Sequence, residues 1–284
     1  MARLYVVSTP IGNLADITYR AVEVLGAVDR ILAEDTRRTA ILLRHYGITT
    51  PLVSLHAHNE AARASLVLGW LDEGRELALV TDAGTPVLSD PGARIVQRVI
   101  AAGHAVVPVP GPSALLAALV AAGLDPEPFT FYGFLPRAGP ARAARLAEVA
   151  TSPYTTVLYE APGRLVRLLE DLAAACTPER RVVVAHELTK VHESFLRGTL
   201  AEALAYYRRE KPRGEFVVVL AGRAEAGGEA EREEEARALA RTLLAEGRAP
   251  SQVAREVAAR LGVPRNRAYA IVLSLPGAQK GGRQ

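Results

Sequence analysis

Three clusters of glycine and proline, each directly after a short apolar run, are the residues of this chain best suited to chemistry. They are Ser8-Thr9-Pro10-Ile11-Gly12-Asn13-Leu14, the stretch from Thr81 to Gly92, and Pro110-Gly111-Pro112-Ser113-Ala114. Glycine lets the main chain approach a ligand, and proline sets the loop shape before anything binds. In open α/β sheets the loops at the carboxyl ends of the strands form the ligand crevice. Three such loops on one sheet would hold a small molecule largely through backbone groups. Any one of them also reads as a tight βα turn, but Thr81 to Gly92 is longer than a turn requires. The chain has no phosphate-binding Gly-x-x-x-x-Gly-Lys, no Gly-x-Gly-x-x-Gly, no Cys-x-x-Cys and no Gly-x-Ser-x-Gly. His56-Ala57-His58, with Glu60 nearby, is a spacing that polar loops produce more often than metal centres, and no metal is assigned.

The elements that must position these loops follow from periodicity. Short apolar runs at Leu4–Ser8, Arg30–Ala33, Glu76–Thr81 and Ala105–Val109 alternate with helical patterns at 19–25, 39–45, 61–72 and 93–102. That alternation predicts βαβ units on a parallel sheet. Ser113 is an expected N-cap for a helix running to Ala122. A second α/β unit follows, with strands expected at 129–132, 155–159, 181–185, 193–197 and 215–220 and helices at 141–150, 165–175 and 200–209. The 193–197 run sits too close to its predecessor for a crossover helix, so an antiparallel pair and a mixed second sheet are expected. Residues 223–235 read as a linker rich in Gly, Ala and Glu. Beyond them the pattern is purely helical, with Ser251 as a cap and Gly262-Val263-Pro264 turning into a last helix, a helix-turn-helix-like module. The expected division is therefore 1–112 and 113–222 as α/β domains, 223–235 as linker, 236–276 as helical module and 277–284 as tail.

Composition narrows the class. Of the 284 residues 49% are hydrophobic and 23% charged, which fits a globular protein and argues against extensive disorder. The single cysteine, Cys176, rules out an internal disulfide. No apolar stretch reaches the roughly 18 residues that span a bilayer, and the N-terminal run breaks at Pro10, so neither anchor nor signal peptide is expected and the cytoplasm is the default. A net charge of +3, carried almost wholly by arginine, is compatible with nucleic acid without demanding it.

Taken in order, Val7-Ser8-Thr9-Pro10-Ile11-Gly12-Asn13-Leu14, Ala33-Glu34-Asp35-Thr36-Arg37, Asp82-Ala83-Gly84-Thr85-Pro86 and Pro110-Gly111-Pro112-Ser113-Ala114 resemble the tetrapyrrole methylase superfamily. Within it they resemble the ribosomal RNA small subunit methyltransferase I branch. Phe134-Leu135-Pro136, Tyr159-Glu160-Ala161-Pro162-Gly163-Arg164, Glu187-Leu188-Thr189-Lys190 and Gly214-Glu215-Phe216-Val217-Val218 agree with it. The likeness covers about Leu4 to Gly222, and a helical extension is typical of the branch. It implies two α/β domains with S-adenosyl-L-methionine in the cleft between them, and a homodimer. The implied activity is 2′-O-ribose methylation of a cytidine in 16S ribosomal RNA, with the small ribosomal subunit as partner and neither metal nor membrane. Asp82 to Pro86 stands where many superfamily members have a Gly-Asp-Pro type loop. The implied cofactor residues are Pro10, Ile11, Gly12, Asp82, Gly84, Thr85, Pro86, Ser113 and Ala114, with Leu135, Leu220 and Ala221 closing over the adenine.

Methyl transfer from a sulfonium to oxygen is an in-line displacement that needs the hydroxyl about 3 Å from the methyl carbon. A ribose hydroxyl also needs a base in reach. The available groups are Glu34, Asp35, Glu160, Glu187, Lys190 and Glu193; the lysine would serve only with a lowered pKa. The Glu34-Asp35 pair is favoured, with Glu160 as a third catalytic candidate and Arg37, Arg164 and Lys190 as contacts to RNA. Against these stand a purely structural Glu34 and an Arg164 spent on a salt bridge to Glu160. Phe131, Tyr132 and Phe134 suit base stacking but, as alternating strand aromatics, read first as core. Two other classes fit less well. A tetrapyrrole methyltransferase leaves the helical module unused, and a non-enzymatic RNA-binding protein leaves the strand-end loops unused. The module itself reads either as an RNA-docking element or as a dimer contact.

Overall fold

A computed structural model describes residues 2–223 and 229–275. Contacts divide the chain into one compact unit ending at Arg223 and a helical unit beyond it. The first sheet comprises β1 (Arg3–Val7), β2 (Arg30–Ala33), β3 (Leu52–Ser54), β4 (Leu77–Val80) and β5 (Ala105–Val109) in the order β3-β2-β4-β1-β5, every pair parallel. Helices α1 (Tyr19–Ala27), α2 (Thr36–His45), α3 (Glu60–Asp72) and α4 (Ala93–Ala101) connect these strands. Leu4, Leu32, Leu77 and Leu79 pack with α3 and α4 on one face, while Val7, Ile31, Ala33 and Val80 pack with Ala21, Leu25 and Leu43 on the other. A sheet covered on both faces explains why β4 is buried at every position and reads as an unbroken apolar run.

This order decides where the chemistry goes. The three glycine-proline loops follow β4, β1 and β5, which are consecutive neighbours, and Glu34-Asp35 follows β2, the next strand along. Segments separated by tens of residues therefore converge at one end of the sheet.

Helix α5 (Ala114–Ala122) leads into a second sheet of β6 (Phe129–Phe134), β7 (Thr155–Glu160), β8 (Arg181–His186), β9 (Ser194–Thr199) and β10 (Phe216–Leu220). Its order is β6-β7-β10-β8-β9; β6 and β7 are parallel and the other three pairs antiparallel, the mixed sheet expected. Helices α7 (Leu165–Ala175) and α8 (Leu200–Arg209) cover one face through Leu165, Leu168, Leu172 and Leu200. The opposite face takes α5 through Leu115, Ala118 and Leu119. Helix α6 (Pro140–Thr151) completes the unit.

Beyond Arg223, helices α9 (Glu229–Ala245), α10 (Pro250–Leu261) and α11 (Arg265–Ser274) enclose their own core of Ala236, Ala240, Leu243, Val253, Val257, Ile271 and Val272. Gly262, at φ 65°, ends α10 in the left-handed conformation that favours glycine.

Several sequence expectations change here. β3 was not foreseen, since three residues beside Pro51 are too few to show a period. α2 begins at Thr36 rather than Thr39 because Asp35 caps it. Part of the expected 223–235 linker is helix from Glu229, since alanine and glutamate are strong helix formers. Residues 224–228 of that linker and the expected tail, 277–284, lie outside the described residues. Ser251 is not a cap; Ala249 holds that position with Pro250 at the first helical residue. Among the described residues no helix is long and apolar enough to cross a membrane.

Candidate active site

The strand-end loops are tied to one another before they meet any ligand. Thr9 and Gly84 exchange backbone hydrogen bonds of 2.9 and 3.0 Å, and the Thr9 hydroxyl donates to the Thr81 carbonyl at 3.1 Å. Ser8 Oγ and Thr85 Oγ1 lie 3.0 Å apart, and Thr85 donates onward to the Pro112 carbonyl at 3.3 Å. The backbone amide of Gly84, expected to face a ligand, is therefore spent on Thr9. Gly12 serves a close approach of a different kind. A Cβ there would meet Lys190 Cγ at 2.5 Å and the Leu188 carbonyl at 2.8 Å, so this glycine lets the 187–190 loop of the second sheet close onto the first.

Between the two sheets lies a cavity of about 400 Å³. The first sheet contributes Ile11, Glu34, Arg38, Asp82, Gly84, Thr85, Leu88 and Asp90, followed by Ser113 and Ala114 at the start of α5. The second contributes Phe134, Tyr159, Glu160, Pro162, Leu188 and the Gly214–Val217 segment. Of the expected cofactor residues, Ile11, Asp82, Gly84, Thr85, Ser113 and Ala114 line it. Pro10, Gly12 and Pro86 do not. Leu135 is buried in the core behind Phe134. Leu220 and Ala221 are at the wrong end of the sheet. β10 runs antiparallel to β7, so Phe216 pairs with Glu160 at the cavity while Leu220 pairs with Thr156 at the far edge. The Gly214–Val217 end lines the cavity instead.

The expected catalytic and RNA-binding groups separate by their partners. Glu34 faces the cavity and accepts a 3.0 Å hydrogen bond from the Thr81 hydroxyl. Asp35 turns away to cap α2 and pairs with Arg37 at 2.7 Å. The Arg37 hydrogen bonds hold its carboxyl well below the usual carboxylate range, which makes it a poorer proton acceptor than an ordinary aspartate. Arg37 is 89% exposed but engaged with Asp35; the arginine at the cavity is Arg38, 3.5 Å from Asp82. Glu160, its side chain fully buried, is held by Arg164 at 3.0 and 3.1 Å, and Arg164 also donates to the Leu135 carbonyl at 2.7 Å. That pair is the salt bridge weighed against RNA contact, and it leaves neither group free for a substrate. Lys190 bridges Glu187 at 2.9 Å and Glu215 at 3.1 Å. Burial draws its pKa down, but these two hydrogen bonds outweigh burial and leave it above the ordinary lysine value, the reverse of what a lysine base needs. Burial likewise pushes Glu187 up, yet Lys190 and the Glu215 amide bring it below the ordinary glutamate value. Glu193 accepts from the Thr189 amide at 2.6 Å.

Two groups were missed. Asp90, at the end of the long loop, lines the cavity half-buried, and burial lifts its carboxyl to about 6, with Glu34 and Asp82 adding to the rise. Tyr159 lines it too, receives the Leu115 amide at 3.1 Å and is raised by burial. The signal for Asp90 was the unusual loop length; nothing in the sequence pairs it with Glu34. Phe134 departs from the core reading. A register shift between Phe131 and Gly133 breaks the alternation of β6, leaving Phe131 and Tyr132 packed and Phe134 52% exposed at the cavity.

A cavity of this size is in the range of small-ligand sites. Glu34, Asp82 and Asp90 suit a cationic centre, and Leu88, Phe134, Pro162, Leu188 and Val217 suit a flat apolar group. S-adenosylmethionine has both features, so the residues present fit the implied cofactor. Glu60 does other work: it accepts the Arg94 and Ile95 amides at the start of α4, at 2.9 and 3.2 Å. Among the described residues no group of three His, Cys, Asp or Glu could hold a metal ion.

Comparison with known proteins agrees with this fold. The tetrapyrrole (corrin/porphyrin) methylases match residues 3–204. A protein of Synechocystis sp. named ribosomal RNA small subunit methyltransferase I is 46% identical over 275 residues, 97% of this chain and 99% of its own. One of the same name from Thermotoga maritima is 44% identical over 223 residues, 78% of this chain and 100% of its own. The fold matches that of uroporphyrin-III C-methyltransferase from Thermus thermophilus, solved complexed with S-adenyl homocysteine. The TM-score is 0.57 at 20% identity, covering 81% of this chain and 99% of that one.

Proposed function

The chain belongs to the tetrapyrrole methylase family and, within it, to the ribosomal RNA small subunit methyltransferase I group, and on that premise we propose that it methylates the 2′-hydroxyl of a cytidine in 16S ribosomal RNA. The observation that carries this reading is 46% identity spread over nearly the full length of both chains. S-adenosylmethionine supplies the electrophilic methyl group. Ile11, Asp82, Thr85, Ser113 and Ala114 hold it from the first sheet, and Leu188 and Val217 from the second. The acidic floor favours the cationic centre, and the stitched loops keep these groups in place before binding. Phe134 offers its exposed face to the target base. Arg38, at the cavity, meets a phosphate next to the target nucleotide. A carboxylate on the floor takes the hydroxyl proton.

The Thermotoga relative matches this chain over 223 residues and its own full length, which supports placing the chemistry in the first unit; the helical unit is assigned to docking on the small subunit. The active form is a cytoplasmic homodimer.

The test uses isotopically labelled S-adenosylmethionine with small ribosomal subunits lacking the modification, and naked 16S RNA in parallel. Label recovered as a single alkali-resistant 2′-O-methylcytidine is the expected result. Cofactor binding without label in either RNA would refute the ribosomal substrate and direct the search to tetrapyrroles.

A further inference from the structure

The helical unit divides its charge along the chain. Helix α9 holds Glu229, Glu231, Glu233, Glu234 and Glu235 against Arg232, Arg237 and Arg241. From Arg248 to Leu275 the balance reverses, with Arg248, Arg255, Arg260, Arg265 and Arg267 against a single acid, Glu256. That acid is shared by Arg248 and Arg260, each at 2.5 Å. Arg267 reaches back to Glu233 at 3.3 Å. Among the described residues Arg255 and Arg265 pair with no carboxylate, and both are exposed.

Arg265 stands where helix physics disfavours it. It opens α11, whose first turn holds no acidic residue, and the positive end of the helix dipole repels a cation there. Arg267 in the same turn is offset by Glu233; Arg265 is offset by no carboxylate among the described residues. Tyr269, 46% exposed, and Leu273, 48% exposed, follow at four-residue intervals and share its side of the helix. The other side of α11, with Ala268, Ile271 and Val272, is taken up by the core of the unit. A cation set against the local helix preference, beside an exposed tyrosine and away from the core, answers to an anion outside the chain.

We infer that this side of α11 docks on the sugar–phosphate backbone of double-stranded ribosomal RNA, with Arg265 on a phosphate and Tyr269 on a neighbouring phosphate or 2′-hydroxyl. This rests on the ribosomal reading above and names the partner chemistry of the helical unit. An excess of arginine over acid selects a polyanion over a protein surface of mixed charge. Single-stranded RNA is held by successive stacking aromatics, whereas α10 and α11 carry one aromatic, Tyr269. The major groove of an A-form duplex is too narrow for a helix, so contact falls on phosphates and 2′-hydroxyls. Such contacts position a protein without reading sequence. The choice of nucleotide then stays with the cavity, and the helical unit adds affinity.

The test uses the full chain carrying Arg265→Glu, Arg265→Ala or Tyr269→Phe, with Arg241→Glu on α9 as a control for the same change of charge. Binding is measured to small subunits lacking the modification and to an RNA duplex of about 20 base pairs of arbitrary sequence, over a range of salt concentrations. Arg265→Glu is expected to weaken both by about tenfold, and Arg265→Ala to reduce the slope of log K against log salt by about one. Tyr269→Phe, which removes only the hydroxyl, should weaken both by about threefold, and Arg241→Glu should leave both within about twofold. In methyl transfer, Arg265→Glu should raise KM for the subunit by about tenfold with kcat within about twofold, since every cavity residue precedes Arg223. Its melting temperature should not fall, because an acid suits the first turn of α11 better than an arginine; weaker binding is then not a folding defect. Unchanged affinity in Arg265→Glu overturns the inference. So does a loss confined to subunits, with duplex affinity and salt slope as in the unsubstituted protein, which would make the partner a ribosomal protein. Failure of the unsubstituted protein to label any RNA overturns the ribosomal reading instead, an outcome distinct from the duplex affinities and their salt slopes.

Discussion

Replacing Asp90 with asparagine should stabilise the protein at neutral pH. Its carboxyl moves from an ordinary value of 3.8 to about 6 on folding, chiefly through burial and secondly through Glu34 and Asp82. A folded-state pKa above the unfolded one means that the native protein binds this proton more tightly. Protonation therefore favours the fold at low pH, and that advantage is lost as pH rises through about 6. A shift of about two units corresponds to about 3 kcal/mol at 1.36 kcal/mol per unit. Because Asp90 is only half-buried, solvent screening reduces this to about 1–2 kcal/mol. Asparagine carries no charge and escapes the cost. For a unit of this size each kcal/mol moves the melting temperature by about 2–4 °C, so Asp90→Asn should melt roughly 2–8 °C higher at pH 7.5. The gap should close below about pH 3, where both side chains are neutral in both states. Scanning calorimetry at pH 7.5 and about pH 3 reads both values. A variant less stable than the parent at pH 7.5, or a gap independent of pH, would refute the reasoning.

Arg164→Ala strands the fully buried Glu160, and urea denaturation should show a loss of about 3–5 kcal/mol. Arg37→Ala removes only an exposed partner of Asp35 and should change stability by less than about 1 kcal/mol, with methyl transfer unaffected. Gly12→Ala places a methyl group 2.5 Å from Lys190 Cγ and 2.8 Å from the Leu188 carbonyl. It should cost about 1–3 kcal/mol and weaken cofactor binding measured by calorimetry, because Leu188 lines the cavity. A chain ending at Arg223 should keep its cofactor affinity, since every cavity residue precedes that point, and should bind small subunits ~tenfold more weakly as basic contacts are lost. Monomerisation on sizing would instead assign the helices to a dimer contact.

The sequence by itself determined the elements and the loops. Alternating apolar runs and helical periods placed nine of the ten strands among the described residues, because burial on one or both faces imposes a period that single residues cannot hide. Glycine and proline marked the ligand loops, since those residue types are chosen by local backbone shape. Chain direction and partnership were decided only by the tertiary structure. β10 runs antiparallel, so Phe216 and Val217 reach the cavity while Leu220 and Ala221 lie at the far edge. The Gly84 amide is consumed by Thr9, 75 residues away in the chain. Arg37, Arg164 and Lys190 are each held by carboxylates. Asp90 gains its altered acidity chiefly from burial in the cavity, with Glu34, from a different strand, and Asp82 adding to the rise. Charge and hydrogen bonding act through space over a few ångströms, and only the packed fold brings residues from separate strands that close.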